Sequence, residues 1–357
     1  MSTATTPKPQ AASRSRSQII VLFIALIVFI MLLFANFAYL NTQSTYDKQY
    51  IGHAGELRVL SQRIAKNATE AAAGKAAAFK LLGDARNDFA QRWGYLKKGD
   101  PQTGLPAAPS AVRAEMRAVQ TDWEALLKNT DAILASEQTV LSLHQVAATL
   151  AETVPQLQIE SEKVVDILLQ RGAPASQVAL AQRQSLLAER ILGAVNTVLA
   201  GDETAVQAAD AFGRDANRFG VVLNGMLNGN PGLRITQVED PDARARLADI
   251  AELFEFVSGS VDEILETSPQ LFQVRASASN IFNLSQTLLD EASHLATGFE
   301  NLASGRSFDT IGGYVLGLLA LASIILIGLV MVRETNRQLH ETAQKNERNQ
   351  NAIMRLL

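Results

Sequence analysis

The 357-residue chain has no cysteine, 6% aromatic residues and a formal net charge of −4. Without cysteine there is neither a disulfide framework nor a thiolate metal site, so any domain must rest on its apolar core. Few aromatics and abundant Ala, Leu, Gln, Glu and Arg favour helix over sheet and predict an all-α protein.

Residues 1–18 carry Lys8, Arg14 and Arg16 without an acid. Residues 19–40 then run for 22 positions without a charge, enough for a helix to cross a hydrocarbon core of about 30 Å. This stretch exceeds a signal-peptide h-region, and no small-x-small cleavage pattern follows Leu40, so it reads as an uncleaved membrane anchor.

The segment 41–309 holds 24 Lys and Arg against 33 Asp and Glu. That acidic balance argues against nucleic acid as a partner. Leu57, Leu60, Ile64 and Ala68 recur at helical spacing, as do Phe89, Trp93 and Leu96 after Asp88. Breakers fall at GDPQTGLPAAP (99–109), RGAPAS (171–176) and GNPGL (229–233). Asp202 after Gly201 is a helix-start signal with Gly74 as a weaker counterpart, and the pattern leaves open whether the helices turn at these glycines.

The segment repeats itself. Arg63-Ile64 matches Arg190-Ile191, Arg92-Trp93-Gly94 matches Arg218-Phe219-Gly220, and Gly104-Leu105 matches Gly232-Leu233. Residues 123–134 match 254–265, and LHQVAA (143–148) matches LFQVRA (271–276), giving offsets of 127, 126, 128, 131 and 128 in turn. Ordered matches at nearly one spacing indicate a duplication, with modules at 41–172 and 173–309. Chemistry is sparse. His53, His144, His294 and His340 share no metal-ligand spacing, and neither a nucleophile elbow nor a phosphate loop is present. No enzyme activity, metal or cofactor is expected.

Residues 310–332 form a second uncharged run of 23 positions, in which Gly313 and Gly317 make a GxxxG pair suited to close helix approach. Arg333, Arg337, Lys345, Arg348 and Arg355 follow it, so both termini are expected in the cytoplasm and residues 41–309 in the periplasm. Val332 and Leu339, a polar connector, then Ile353 and Leu356 loosely resemble the opening of a HAMP relay, without its usual proline.

LRVLSQRIAKNA, just after the first span, carries Leu57, Arg58, Ser61, Arg63 and Ile64 in an L-R-x-x-S-x-R-I pattern. This resembles the PilJ family, the methyl-accepting transducers of type IV pilus chemosensory systems. The resemblance implies two transmembrane helices flanking an elongated extracytoplasmic antiparallel helical bundle of two tandem modules in the inner membrane. It also implies a homodimer, the type IV pilin as a partner, and a cytoplasmic adaptor and histidine kinase reached through a part beyond Leu357. The chain is accordingly expected to be the sensory portion of a longer receptor that controls twitching motility. The same pattern is similar to the anion-holding segment of nitrate-sensing kinases, where Arg58 corresponds to the anion-contacting arginine. A nitrate-sensor-like kinase, a small-anion receptor and a structural tethered bundle are therefore the alternatives.

Arg58, Ser61 and Arg63 are the candidate ligand- or partner-binding residues. Arg58 and Ser61, three apart, would share a helical face, and a symmetry mate would bring two guanidinium groups together around an anion or carboxylate. Arg63 lies about 140° further round. Module two has Ser185 in place of Arg58. The competing possibility is that Arg58 and Arg63 pair with Glu56, Asp88 or Asp131 in their own bundle.

Overall fold

The computed structural model describes the backbone of residues 11–305 and 307–354, with side chains over 17–305 and 311–351. Among these residues no strand occurs, as the composition requires, and eight α-helices account for most of the chain. They are α1 (Ala11–Ala72), α2 (Ala76–Lys98), α3 (Arg113–Ala135), α4 (Glu137–Gln170), α5 (Ala175–Ala200), α6 (Ala205–Asn228), α7 (Pro241–Gly305) and α8 (Ser307–Met354). Two compact parts result. One holds the chain to Gly52, Pro101–Pro106 and the chain from Ala296; the other holds His53–Asp100 and Ala107–Leu295.

In the first part, α1 and α8 are each long and apolar enough to cross a membrane. Their apolar side chains, from Ile20 to Phe37 and from Ile311 to Val332, are largely exposed, which suits a lipid environment. Tyr50 stacks on Phe299 with ring centroids 5.0 Å apart and donates its hydroxyl to the Pro106 carbonyl at 2.8 Å. Beyond Val332, α8 continues unbroken to Met354, so the expected helix–link–helix opening of a relay is absent over that range. Gly and Pro are missing from 333–351 and Glu, Gln, Lys and Arg dominate it, so the polar stretch has no reason to leave the helix. Lys8, Arg355 and Leu356 lie outside the described residues.

The second part settles the question of the glycines. Gly74 and Gly201 adopt φ of 81° and 63°, a region that suits glycine because a Cβ would crowd the backbone. Both α1 and α5 end there and reverse into α2 and α6. Neither site tolerates a side chain: a Cβ on Gly74 would lie 2.4 Å from the His144 ring, and one on Gly201 2.5 Å from Arg275 Cγ. Asp202 accepts from the Thr204 amide at 2.8 Å, capping the turn before α6.

The helices make two four-helix sets, each combining both halves of the sequence. Ser161 and Val164 of α4 pack with Ala181 and Gln184 of α5, Met226 of α6 and Ile250 of α7. The far half of α7 meets module one instead: Gln62 of α1 donates to the Ser285 carbonyl at 3.2 Å, and Asn280 reaches Asn129 of α3 at 3.5 Å.

The duplication is visible as a repeat of buried positions, and it corrects three of the five sequence matches. Leu57, Leu60 and Ile64 fall on Gln184, Leu187 and Ile191, an offset of 127 that agrees with the Arg63–Arg190 match. Along α3–α4 and α7 the offset is a constant 131, placing Val119, Trp123, Leu143 and Leu157 on Ile250, Phe254, Val274 and Leu288. LHQVAA and LFQVRA are therefore misregistered by three. In α2 and α6 the offset is 130, because Phe89 stacks on Trp123 (4.1 Å between centroids) as Phe219 stacks on Phe254 (4.7 Å). Trp93 is thus not the counterpart of Phe219, and the earlier match is off by one helical turn. Leu105 likewise corresponds to buried Ile235, not to Leu233, which is 54% exposed.

Candidate functional site

Arg58 and Arg63 both project from α1 into solvent, and among the described residues neither makes an ion pair. Ser61 does not join them. It is fully buried, and its hydroxyl donates back to the Arg58 carbonyl at 2.8 Å. Three residues on a helix leave about 60° between side chains, and that angle straddles the edge of the core here. The expected shared face therefore fails on burial.

Among the described residues none of the acids proposed to neutralise these arginines pairs with them: Glu56 and Asp88 are exposed and make no ion pair. Asp131 binds Arg86 Nη2 at 2.9 Å. In module two the counterpart of Arg63, Arg190, binds Asp215 at 2.9 Å, and that carboxylate is 9% exposed. Asp215 corresponds at the 130 offset to Ala85 in module one. Among the described residues Arg63 lacks an ion-pair partner because the acid that holds its duplicate is replaced by a methyl group. Sequence reasoning missed both the Arg86–Asp131 and the Arg190–Asp215 pair. The signal was G-x-x-x-N-x-F, residues 83–89 and 213–219, which carries the correct register.

One turn before Arg58, the His53 ring lies 5.3 Å from that of Tyr95. Burial lowers the His53 pKa below its ordinary value, and the nearby Arg92 cation adds to this against opposing contributions from Asp100 and Glu56. Exposed guanidinium groups without internal partners can receive a carboxylate or another anion through paired, charge-assisted hydrogen bonds. No cluster of metal-ligating side chains occurs among the described residues.

In the second span the two glycines separate. A Cβ on Gly313 would lie 3.0 Å from Asn36 Oδ1 of α1, whereas nothing lies within 4 Å of Gly317. Gly313 thus serves the contact between the chain's own two spans, and Gly317 faces open space.

Residues 39–149 match the family described as "Type IV pili methyl-accepting chemotaxis transducer N-term", PilJ. The chain is 73% identical over 347 residues to "Protein PilJ" of Pseudomonas aeruginosa (strain PAO1), an alignment covering 97% of this chain and 51% of that protein. It is 47% identical over 345 residues to "Putative methyl-accepting chemotaxis AlkN" of Alcanivorax borkumensis (strain SK2), covering 95% of this chain and 49% of that protein. The chain spans about half the length of these relatives. The TorS sensor domain, solved with TorT in the presence of TMAO, aligns over 70% of this chain and 98% of its own at 12% identity and a TM-score of 0.30.

Proposed function

Because this chain belongs to the PilJ family of type IV pilus methyl-accepting chemotaxis transducers, we infer that it is the sensory and membrane-spanning part of such a receptor. In this reading the receptor is a sensor without enzymatic activity of its own, placed in the inner membrane with both termini cytoplasmic and residues 41–309 periplasmic. It works as a homodimer, in which Gly317 gives the second span of the other copy room to approach. An event on the helical bundle, with type IV pilin as the partner, shifts the second span and is passed to a cytoplasmic adaptor and histidine kinase.

The observation that carries the reading to a site is the asymmetry between the modules. Module one leaves Arg58 and Arg63 exposed and without an ion pair among the described residues, while module two has Ser185 and an arginine already held by Asp215. The free cations of module one meet a carboxylate or another anion supplied from outside the bundle, and Ser61 acts only by holding the helix between them.

Replacing Arg58 in the intact receptor tests this. Arg58→Ala should abolish the twitching response in cells, yet change stability by no more than about 0.5 kcal/mol, since it removes an exposed side chain. Normal twitching in the variant would remove Arg58 from the mechanism.

A further inference from the structure

The modules differ in a second place, where the asymmetry runs the other way. In module one, Arg86 of α2 lies against α3, with Nη2 2.9 Å from Asp131 and Nη1 3.0 Å from the side-chain oxygen of Asn87. Moving to module two by the offsets fixed by the stacked aromatic pairs, Asn87 becomes Asn217, Asp131 becomes Asp262 and Arg86 becomes Ala216. Both groups that bind the guanidinium are kept, and the guanidinium itself is missing.

What remains is a groove of ≈ 400 Å³ between α6 and α7, lined by Gly213, Ala216, Asn217, Phe254, Val261 and Asp262. Its floor is apolar. Gly220 keeps it open, since a Cβ there would lie 2.8 Å from Phe254 Cε1. Asp262 at the rim is exposed and has no ion pair among the described residues. The volume suits a small molecule, and a carboxylate above an apolar wall suits a planar cation on a hydrocarbon stem.

We propose that the α6–α7 groove of module two binds a free alkylguanidinium small molecule, whose cation takes the place Arg86 fills in module one, against Asp262 and Asn217. This site does not depend on Arg58 and would exist whatever the receptor's other partners are. Module one occupies its own copy with Arg86; module two leaves the copy for a ligand.

The test is calorimetric titration of the whole 357-residue chain, in lipid nanodiscs, with n-butylguanidinium and with its neutral isostere n-butylurea. Saturable binding of butylguanidinium at a single site per chain is expected, with none of butylurea. Asp262→Asn alters an exposed residue, leaves the fold intact and should weaken binding at least about tenfold, the loss of a charge-assisted pair. Ala216→Arg restores the arrangement of module one and should abolish binding. Absence of saturable binding to the unaltered chain, equal binding of butylurea, or undiminished affinity in Asp262→Asn would each overturn the proposal. So would full binding by a folded Ala216→Arg chain.

Discussion

At the scale of single residues, Arg63 and Arg190 occupy equivalent places on α1 and α5 and differ in their surroundings. Arg190 neutralises Asp215, whose carboxylate is 9% exposed. Removing it strands a nearly buried acid. Arg190→Ala should therefore cost about 1–2 kcal/mol, below the range for fully buried pairs because the arginine itself is 56% exposed. Arg63→Ala should stay within about 0.5 kcal/mol. Urea unfolding of both variants measures the difference, and equal losses would mean that Arg63 has an internal partner after all. That Arg58 lies outside the core was readable from its motif, since an arginine flanked by Leu57 and Leu60 sits beside the core stripe. The inward turn of Ser61 was not, because a serine three residues on falls at the stripe's margin, where spacing alone does not decide.

At the scale of helices, the duplication was legible but its register was not. Shifting an amphipathic helix by three or four residues keeps the same face apolar, and LHQVAA shares four residues with LFQVRA at 128 but only one with its true counterpart VRASAS at 131. The aromatic stacks break that degeneracy, because Phe89 meets Trp123 and Phe219 meets Phe254 across helices. If they are equivalent anchors, Phe219→Ala and Phe89→Ala should each cost about 3–5 kcal/mol, the range for deleting a buried aromatic ring. Thermal or denaturant unfolding checks this. A loss confined to one of them would show that the two modules do not use the same packing. The polar end of α8 failed as a sequence prediction for a related reason: apolar residues spaced around a polar stretch read as two helices and a link, yet helix-forming polar residues continue a single helix equally well.

At the scale of the whole chain, two apolar runs and the cations beside them led to the membrane assignment, and the side chains of α1 and α8 expose the apolar surface that a bilayer would cover. Orientation is a separate matter, resting on Arg333, Arg337, Lys345 and Arg348 after the second run. A cysteine at Gln350 should resist a membrane-impermeant thiol reagent in intact cells, and one at Ser110 should react; the chain supplies no background thiol. Labelling at Gln350 would reverse the arrangement. The division into consecutive stretches of sequence did not reveal that α4 and α7 are shared between the two four-helix sets, since no local pattern tells a helix which bundle its far half will join.

That sharing sets the order in which the protein can be completed during synthesis. Gln62 on α1 finds its bonding partner on α7 at Ser285, 223 residues downstream. At about 5–20 residues per second, the ribosome needs roughly 10–45 s to deliver that wall. Meanwhile α1, α2 and α3 stand with one apolar side open. The second bundle needs only α4 through the first half of α7, a nearly continuous stretch, and can close as soon as it emerges. The bundle made first is therefore finished last.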